Sequence, residues 1–348
     1  MTTEGFIGQL AVQVTPENMD ALDKKIVYLL SLNCRLSNTA LAHHLKTSRE
    51  VVAYRIQRLQ DLDVLHGFLT LINAQALGRK LHTVGLKVHT AIRIEELASA
   101  LLKHPSTSSL SHCGGMFDLL VTIQANSDED CYATFHDILG THQEKIKSYQ
   151  LFSKLEQHFS PLSMLVEDKK ELPWLSLIQE QKGSAFLPAF QKRKKQGSPL
   201  FIIDEDDKRI LKELNHNARA PLSELSSRSG VSLFQLQKRI NNLIQGNIIQ
   251  AFVPYVSLAK CGLHYYFVFV NVRQRAEPAF RTWVELHPSI VWRTKLLGSY
   301  NYKLSFFVEN NHHLADVLKE MYQEFGEAIL QTESLPVFNS SKYVSFLG

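Results

Sequence analysis

A chain of 348 residues, 45% hydrophobic and 21% charged, is long enough for two or more domains with their own cores, and a formal net charge of +4 is too small to name a partner by itself. No apolar run approaches the roughly 20 residues that span a bilayer, and the N-terminus lacks a basic segment followed by an apolar core and a small-residue cleavage site, so no membrane partner and a cytoplasmic location are expected. Cys34, Cys113, Cys131 and Cys261 are scattered without disulfide or metal-ligand spacing, and no phosphate-binding glycine loop or nucleophile motif occurs. The expectation is buried free thiols, no metal, no cofactor and no catalytic residue.

In chain order, the first organised stretch begins near Ala21. Leu22, Ile26, Leu29 and Leu30 fall on one helical face. Ser37 or Asn38 can cap a short helix over Thr39 to Leu45, and Ser48 can cap a third helix whose Val52, Ile56 and Leu59 recur at i, i+4 and i+7. The alternating run Val64 to Leu71 then predicts a strand or small hairpin, completing a winged helix-turn-helix over residues 21–73. Shape alone also fits a plain helical bundle that touches no nucleic acid. The outward face of the third helix favours nucleic acid: Arg49, Glu50, Tyr54 and Arg58, with Ser48 at its start, can reach base edges and phosphates. Arg55 lies beside the core stripe, where packing and pairing with a carboxylate are expected.

From His82 the pattern changes to strand, helix, strand, strand, helix, strand. The expected elements are a strand from His82, a helix over Glu95 to Leu102, a strand over Ser109 to His112, and a turn at Gly114 and Gly115. A strand over Phe117 to Ile123, a helix from Asp128 ended by Gly140 and a strand over Lys145 to Leu155 follow. This βαββαβ order is the ferredoxin-like arrangement and fills residues 81–165. A connector over 166–203, including the basic run Gln191 to Lys195, leads to a second series.

That second series repeats the first. From Asp23 to Gly78 and from Asp207 to Gly262 the two stretches correspond at a constant offset of 184 residues, so one folding unit is used twice. Residues 204–258 form a second winged helix-turn-helix with Ser232 capping a third helix of core face Leu236, Ile240 and Leu243, and residues 263–345 form a second βαββαβ domain. The fold class is therefore α+β, in two tandem units. Net charge is +3 over 21–73, +2 over 205–258 and +3 over 166–200, against −1 over 74–165, so positive charge follows the helical halves and the connector. An open apolar sheet face on each βαββαβ domain predicts self-association, within the chain or with another.

A winged helix-turn-helix joined to a βαββαβ domain resembles the leucine-responsive and asparagine-synthesis regulators, the Lrp/AsnC family. The resemblance rests on Leu22-Asp23, Asn33-Cys-Arg35-Leu-Ser37, Leu41-Ala42, Ser48, Arg55-Ile56, Val64 to Gly67 and Gly115-Met-Phe-Asp118. In the second copy it rests on Asp207, Ile210, Asn217-Ala-Arg219, Leu225, Ser232, Arg239-Ile240, Ile248 and Gly298-Ser-Tyr-Asn301. It implies a DNA-binding transcription regulator, nucleoid-associated, with double-stranded DNA as partner and a RAM-type ferredoxin-like domain that dimerises and often senses amino acids. Because members usually carry one copy and dimerise, a tandem chain is expected to form an internal pseudo-dimer.

The two copies differ where function is expected. Opposite Arg49 and Glu50 stand Leu233 and Phe234, and Lys238 and Asn242 replace Tyr54 and Arg58, so the first copy is expected to dominate reading while Lys238 and Asn242 contact DNA weakly. The family's ligand turn corresponds to Gly115, Phe117 and Asp118 and to Gly298, Tyr300 and Asn301. Asp118 can accept a ligand ammonium or cap its turn, and Asn301 carries no charge. A possible amino-acid effector follows for one copy. The rival from another class is a sirohaem-decarboxylase-like enzyme of haem biosynthesis, which shares this architecture. His82, His112, His264 and His287 are its candidate pocket residues, with His82 and His264 as approximate counterparts.

Overall fold

The computed structural model describes residues 16–89, 94–166 and 202–343. The basic run Gln191 to Lys195 and most of the expected connector lie outside the described residues. The chain divides into two compact units. One gathers both βαββαβ copies and the other both helix-turn-helix copies, so elements adjacent in sequence separate and equivalent elements come together.

The helical unit contains α1 (Ala21–Leu32), α2 (Asn38–Leu45), α3 (Arg49–Asp61) and strand β1 (Leu65–Ile72) from the first copy. From the second come α6 (Glu205–His216), α7 (Leu222–Ser229), α8 (Leu233–Gln245) and strand β6 (Ile249–Val256). Helices α1 and α6 begin with matching capping boxes, Asp20 with Asp23 and Asp204 with Asp207. Ser37 caps α2 and Ser48 caps α3 through hydroxyls that accept the Ala40 and Val51 amides. Ser232 does not cap α8 in this way: its hydroxyl turns to the Gln235 side chain, 3.1 Å away. The expected stripes Val52, Ile56, Leu59 and Leu236, Ile240, Leu243 are buried.

No hairpin wing closes on its own copy among the described residues. Strand β1 pairs antiparallel with β6 from the other copy, Phe68 opposite Pro254 and Leu71 opposite Ala251. Equivalent strands therefore bind the two helical triplets into one body. Around this ribbon Cys34 N donates to Phe252 O and Ala218 N to Phe68 O, the same bond made twice across the pair.

The second unit contains β2 (Lys80–Val88), α4 (Ile94–Lys103), β3 (Thr107–Cys113), β4 (Leu119–Ala125), α5 (Asp128–His142) and β5 (Ile146–Phe159). Its other half is β7 (His264–Val272), α9 (Glu277–Leu286), β8 (Ile290–Leu297), β9 (Tyr302–Val308), α10 (Asn311–Phe325) and β10 (Ile329–Tyr343). Gly140 does not end α5, which runs on to His142; one glycine inside a helix costs only about 1 kcal/mol.

The strands close into a barrel in the order β10-β3-β4-β2-β5-β8-β9-β7. Closure depends on β5 and β10, and β5 runs past the expected Leu155 to Phe159. The first half of β5 pairs with β2 of its own copy and the second half with β8 of the other. Strand β10 does the same with β7 and β3. Each sheet thus buries one face under its own helices, with Val84, Leu86 and Val121 in the first copy and Val268, Val270 and Leu304 in the second. The other faces meet inside the barrel around Phe117, Leu120, Phe152, Phe267, Phe269, Tyr300 and Leu335. The apolar faces expected to seek a partner find each other within one chain.

Candidate nucleic-acid interface and ligand turns

The outward face of α3 presents Arg49, Glu50 and Tyr54 to solvent, Tyr54 at 67% exposure, behind the exposed cap Ser48. Arg58 is placed differently. Its guanidinium donates to the fully buried Asp23 at 2.8 Å and to the Asn18 carbonyl at 3.2 Å. Arg55 joins the same cluster, on Asp23 at 3.1 Å and on Asp20. The Asp23 amide and the Arg55 guanidinium hold the Asp20 carboxyl below its ordinary range. Of the arginines on α3, Arg49 is therefore the one that stands away from this cluster.

The second copy shares the frame and changes the charge. Arg239, at the position of Arg55, binds Asp204, Asp206 and Asp207. Asn242 stands in place of Arg58, and Asp206 in place of Leu22. Two arginines on two aspartates become one arginine on three. At the start of α8, Leu233 and Phe234 are 50% and 81% exposed, with Lys238 and Asn242 exposed on the same helix. Apolar side chains there suit a thymine methyl, whereas Arg49 suits a guanine edge or a phosphate.

The paired copies are locked by a motif whose structural role sequence reading missed. In Asn33-Cys34-Arg35, Asn33 accepts the Arg35 amide, and the Arg35 guanidinium crosses to the Ala218 and Ala220 carbonyls of the other copy. In Asn217-Ala218-Arg219, Asn217 accepts the Arg219 amide, and Arg219 crosses to the Cys34 carbonyl and Asn38. Each guanidinium also lies over a phenylalanine of the opposite strand, Arg35 over Phe252 and Arg219 over Phe68. Recurrence of Asn-x-Arg in register was the available signal.

In the barrel unit, the ligand turns are built alike. Asp118 accepts the Val88 amide at 2.9 Å and the Lys87 ammonium at 2.8 Å, and Lys87 also donates to the Gly115 carbonyl. Asn301 accepts the Val272 amide at 3.0 Å and donates to the Val272 carbonyl, while Asn271 donates to Ser299. Residues 87 and 271 correspond, as do 118 and 301, so an ion pair in one copy is an amide pair in the other. The side chains of Phe117 and Tyr300 turn into the barrel interior, Phe117 against Phe152 and Phe269, and Tyr300 with its hydroxyl on Gln331. Gly115 and Gly298 are exposed at the turns. Phe117 and Tyr300 are thereby core residues of the paired sheets, and Lys87 joins the turn as a residue that sequence reading missed.

The candidate histidines do not converge. His82 is buried beside Ser153, and its register counterpart is Tyr266 rather than His264: His82 pairs with Ile123 and Tyr266 with Phe306. Burial lowers the pKa of both His82 and His112. The histidines that do recur are His104 and His287, whose Nδ1 atoms accept the Ser106 and Ser289 amides and whose Nε2 atoms approach Asp137 and Glu320. They fasten the turns that follow α4 and α9.

Two helix-turn-helix triplets, each offering the face of its third helix, define a protein with the frame of a DNA-binding helix-turn-helix pair. The AsnC-type helix-turn-helix domain matches residues 19–60 and 203–244. A proline dehydrogenase transcriptional activator of Rhodobacter capsulatus is 31% identical over 129 residues, covering 36% of this chain and 82% of the relative. The HTH-type transcriptional regulator FL11 of Pyrococcus furiosus is 27% identical over 130 residues, covering 36% and 86%. The chain belongs to the Lrp/AsnC family. Among solved structures, the siroheme decarboxylase NirDL matches with a TM-score of 0.60 at 12% identity over 93% of each chain, a likeness of fold alone. No helix among the described residues is long and apolar enough to cross a membrane.

Proposed function

We propose that this chain is a sequence-specific DNA-binding transcription regulator, acting in the cytoplasm at the nucleoid, whose two helix-turn-helix copies form an internal pair. One chain would serve one two-fold-like operator, with half-sites about one helical turn or a multiple apart. The observation that carries this reading is the contrast between α3 and α8 on otherwise matching frames. The α3 face offers Arg49, Glu50 and Tyr54, while α8 offers Leu233, Phe234, Lys238 and Asn242 beside an acid-rich cluster. The first copy reads bases and the second contributes weaker contacts. Sequence relatives named as regulators favour a regulator over a catalyst.

Footprinting on the DNA upstream of its own gene tests the assignment. Arg49→Ala with Tyr54→Ala should abolish the specific footprint, and Lys238→Ala with Asn242→Ala should reduce it less. Equal loss from both pairs would contradict the asymmetry.

The proposal includes an amino-acid effector at the first turn. Lys87 and Asp118, half-buried and side by side, offer the two charges that a zwitterion complements, whereas Asn271 and Asn301 offer none. Amino acids that shift operator affinity in the wild type and leave the Lys87→Asn, Asp118→Asn double variant unmoved would support it. An undiminished response in the variant would remove this site.

A further inference from the structure

The two helix-turn-helix copies are related by a two-fold that their strands record residue by residue. In the ribbon of β1 and β6, Leu69 lies directly opposite Val253, its own counterpart at the offset of 184, and Phe68 lies opposite Pro254 as Thr70 lies opposite Phe252. The faces of α3 and α8 are therefore symmetric about this ribbon, and a duplex lying across the two-fold meets one face in each half-site.

The frames match and the chemistry of the faces does not. At the N-terminal end of α3, where a recognition helix meets base edges, Arg49 and Glu50 are exposed. An arginine pairs with O6 and N7 of guanine, and a carboxylate accepts from the N4 amine of cytosine, so both suit a G·C pair. The same positions in α8 hold Leu233 and Phe234, and Phe234 is 81% exposed, away from the buried Leu236, Ile240 and Leu243. Gln237 and Asn241 follow Phe234 at i+3 and i+7, and Lys238 and Asn242 at i+4 and i+8, so all share its side of the helix. The sequence of α8 contains no acidic residue from Leu233 to Gln245.

An apolar side chain recognises the C5 methyl of thymine, and an Asn or Gln amide pairs with N6 and N7 of adenine. The α8 face thus carries complements to both members of an A·T pair, and Lys238 adds a charge for a phosphate. Helix packing does not call for Phe234, since Glu50 fills its place in α3, a helix of the same 13 residues.

Taking the chain as the DNA-binding regulator proposed for it, we infer that its operator is chemically asymmetric, with a G·C-containing half-site under α3 and an A·T half-site under α8. Phe234 packs on thymine methyls there, and Gln237 and Asn241 take adenine edges. Methyl and neutral amide contacts are weaker than charge-assisted ones, so α8 tunes an affinity that α3 anchors.

Duplexes that the full-length chain retains from a random-sequence pool are sequenced, and binding to the most enriched one is measured by fluorescence anisotropy. The enriched site should carry G·C pairs in one half and A·T pairs in the other. Replacing the thymines of the A·T half with deoxyuridine removes only the C5 methyl groups. The exchange should weaken wild-type binding at least about threefold and leave the affinity of Phe234→Ala unmoved. Phe234→Glu, which installs the residue of the first copy, should enrich cytosine in that half. A site with the same bases in both halves, a wild type indifferent to deoxyuridine, or an equal loss in wild type and Phe234→Ala would overturn the asymmetry and leave the regulator standing. Enrichment of no sequence would overturn both.

Discussion

Arg58 and Asp23 form an ion pair of 2.8 Å in which the carboxylate is fully buried and the arginine is not. Together with Arg55, this pair ties α3 to α1 and fixes how the outward face of α3 is presented. Removing the carboxylate would take the shared acceptor from two partly exposed guanidinium groups, Arg55 keeping Asp20 and Arg58 keeping the Asn18 carbonyl. Asp23→Ala should therefore cost about 2–3 kcal/mol, measured by urea unfolding.

Arg58 and Arg49 should separate by assay. Arg58→Ala should lower stability by about 1–2 kcal/mol, because one charge-assisted bond to Asp23 is lost while Arg55 still covers it. Arg49→Ala should leave stability unchanged and weaken DNA binding with a shallower salt dependence. A stability-neutral Arg58→Ala would return Arg58 to the surface face.

The reciprocal crossing of Arg35 and Arg219 makes the helical pair a cooperative body. Arg219→Ala removes bonds to the Cys34 carbonyl and to Asn38 and should cost about 2–3 kcal/mol. Arg35→Ala should cost a similar amount, and the double variant less than the sum if they share one interface. Additive losses in a double-mutant cycle would argue that each arginine acts alone.

A backbone difference between the copies gives a stabilising substitution. Lys46 ends α2 at φ 51°, and its counterpart Gly230 ends α7 at φ 69°. A side chain in this left-handed region costs roughly 1–2 kcal/mol, partly offset by the entropy a glycine loses on folding. Lys46→Gly should raise stability by roughly 0.5–1 kcal/mol in urea unfolding, and Gly230→Lys should lower it. A loss on Lys46→Gly would show that the Lys46 side chain makes a stabilising contact.

Lys154 on β5 and Lys303 on β9 predict a pH-dependent difference in stability. Both titrate lower in the folded chain than their ordinary 10.5, so the unfolded chain binds more protons through that window and their penalty is largest at low pH. Lys154→Val with Lys303→Leu should be more stable than the wild type at pH 6.5, and the advantage should shrink as the pH rises towards 10.5. Comparing the two proteins removes most of the contribution of Cys113, which burial pushes up to about 12. An advantage that is flat with pH would mean the lysines are not desolvated.

Much of the frame was legible because it depends on local periodicity. The core stripes of α3 and α8, the caps Ser37 and Ser48 and the strand β2 all follow from spacing within a few residues. What was not legible depends on the partner copy. The second halves of β5 and β10 exist because a strand from the other copy pairs with them, and no local pattern announces that. Arg58 looked like a surface residue from helical spacing, yet Asp23, 35 residues away, captures it. Asp118 and Asn301 differ in charge but do one job, visible only when Lys87 and Asn271 are seen beside them.

The central claim is that this tandem chain reads DNA through the α3 face of its first copy. Fluorescence anisotropy with its own upstream DNA and an unrelated duplex, at two salt concentrations, tests this most directly. The wild type should bind the upstream DNA more tightly, and Arg49→Ala with Tyr54→Ala should bring it to the unrelated level without loss of fold. Equal affinity for both duplexes at low salt, or an unchanged preference in the folded double variant, would contradict the account.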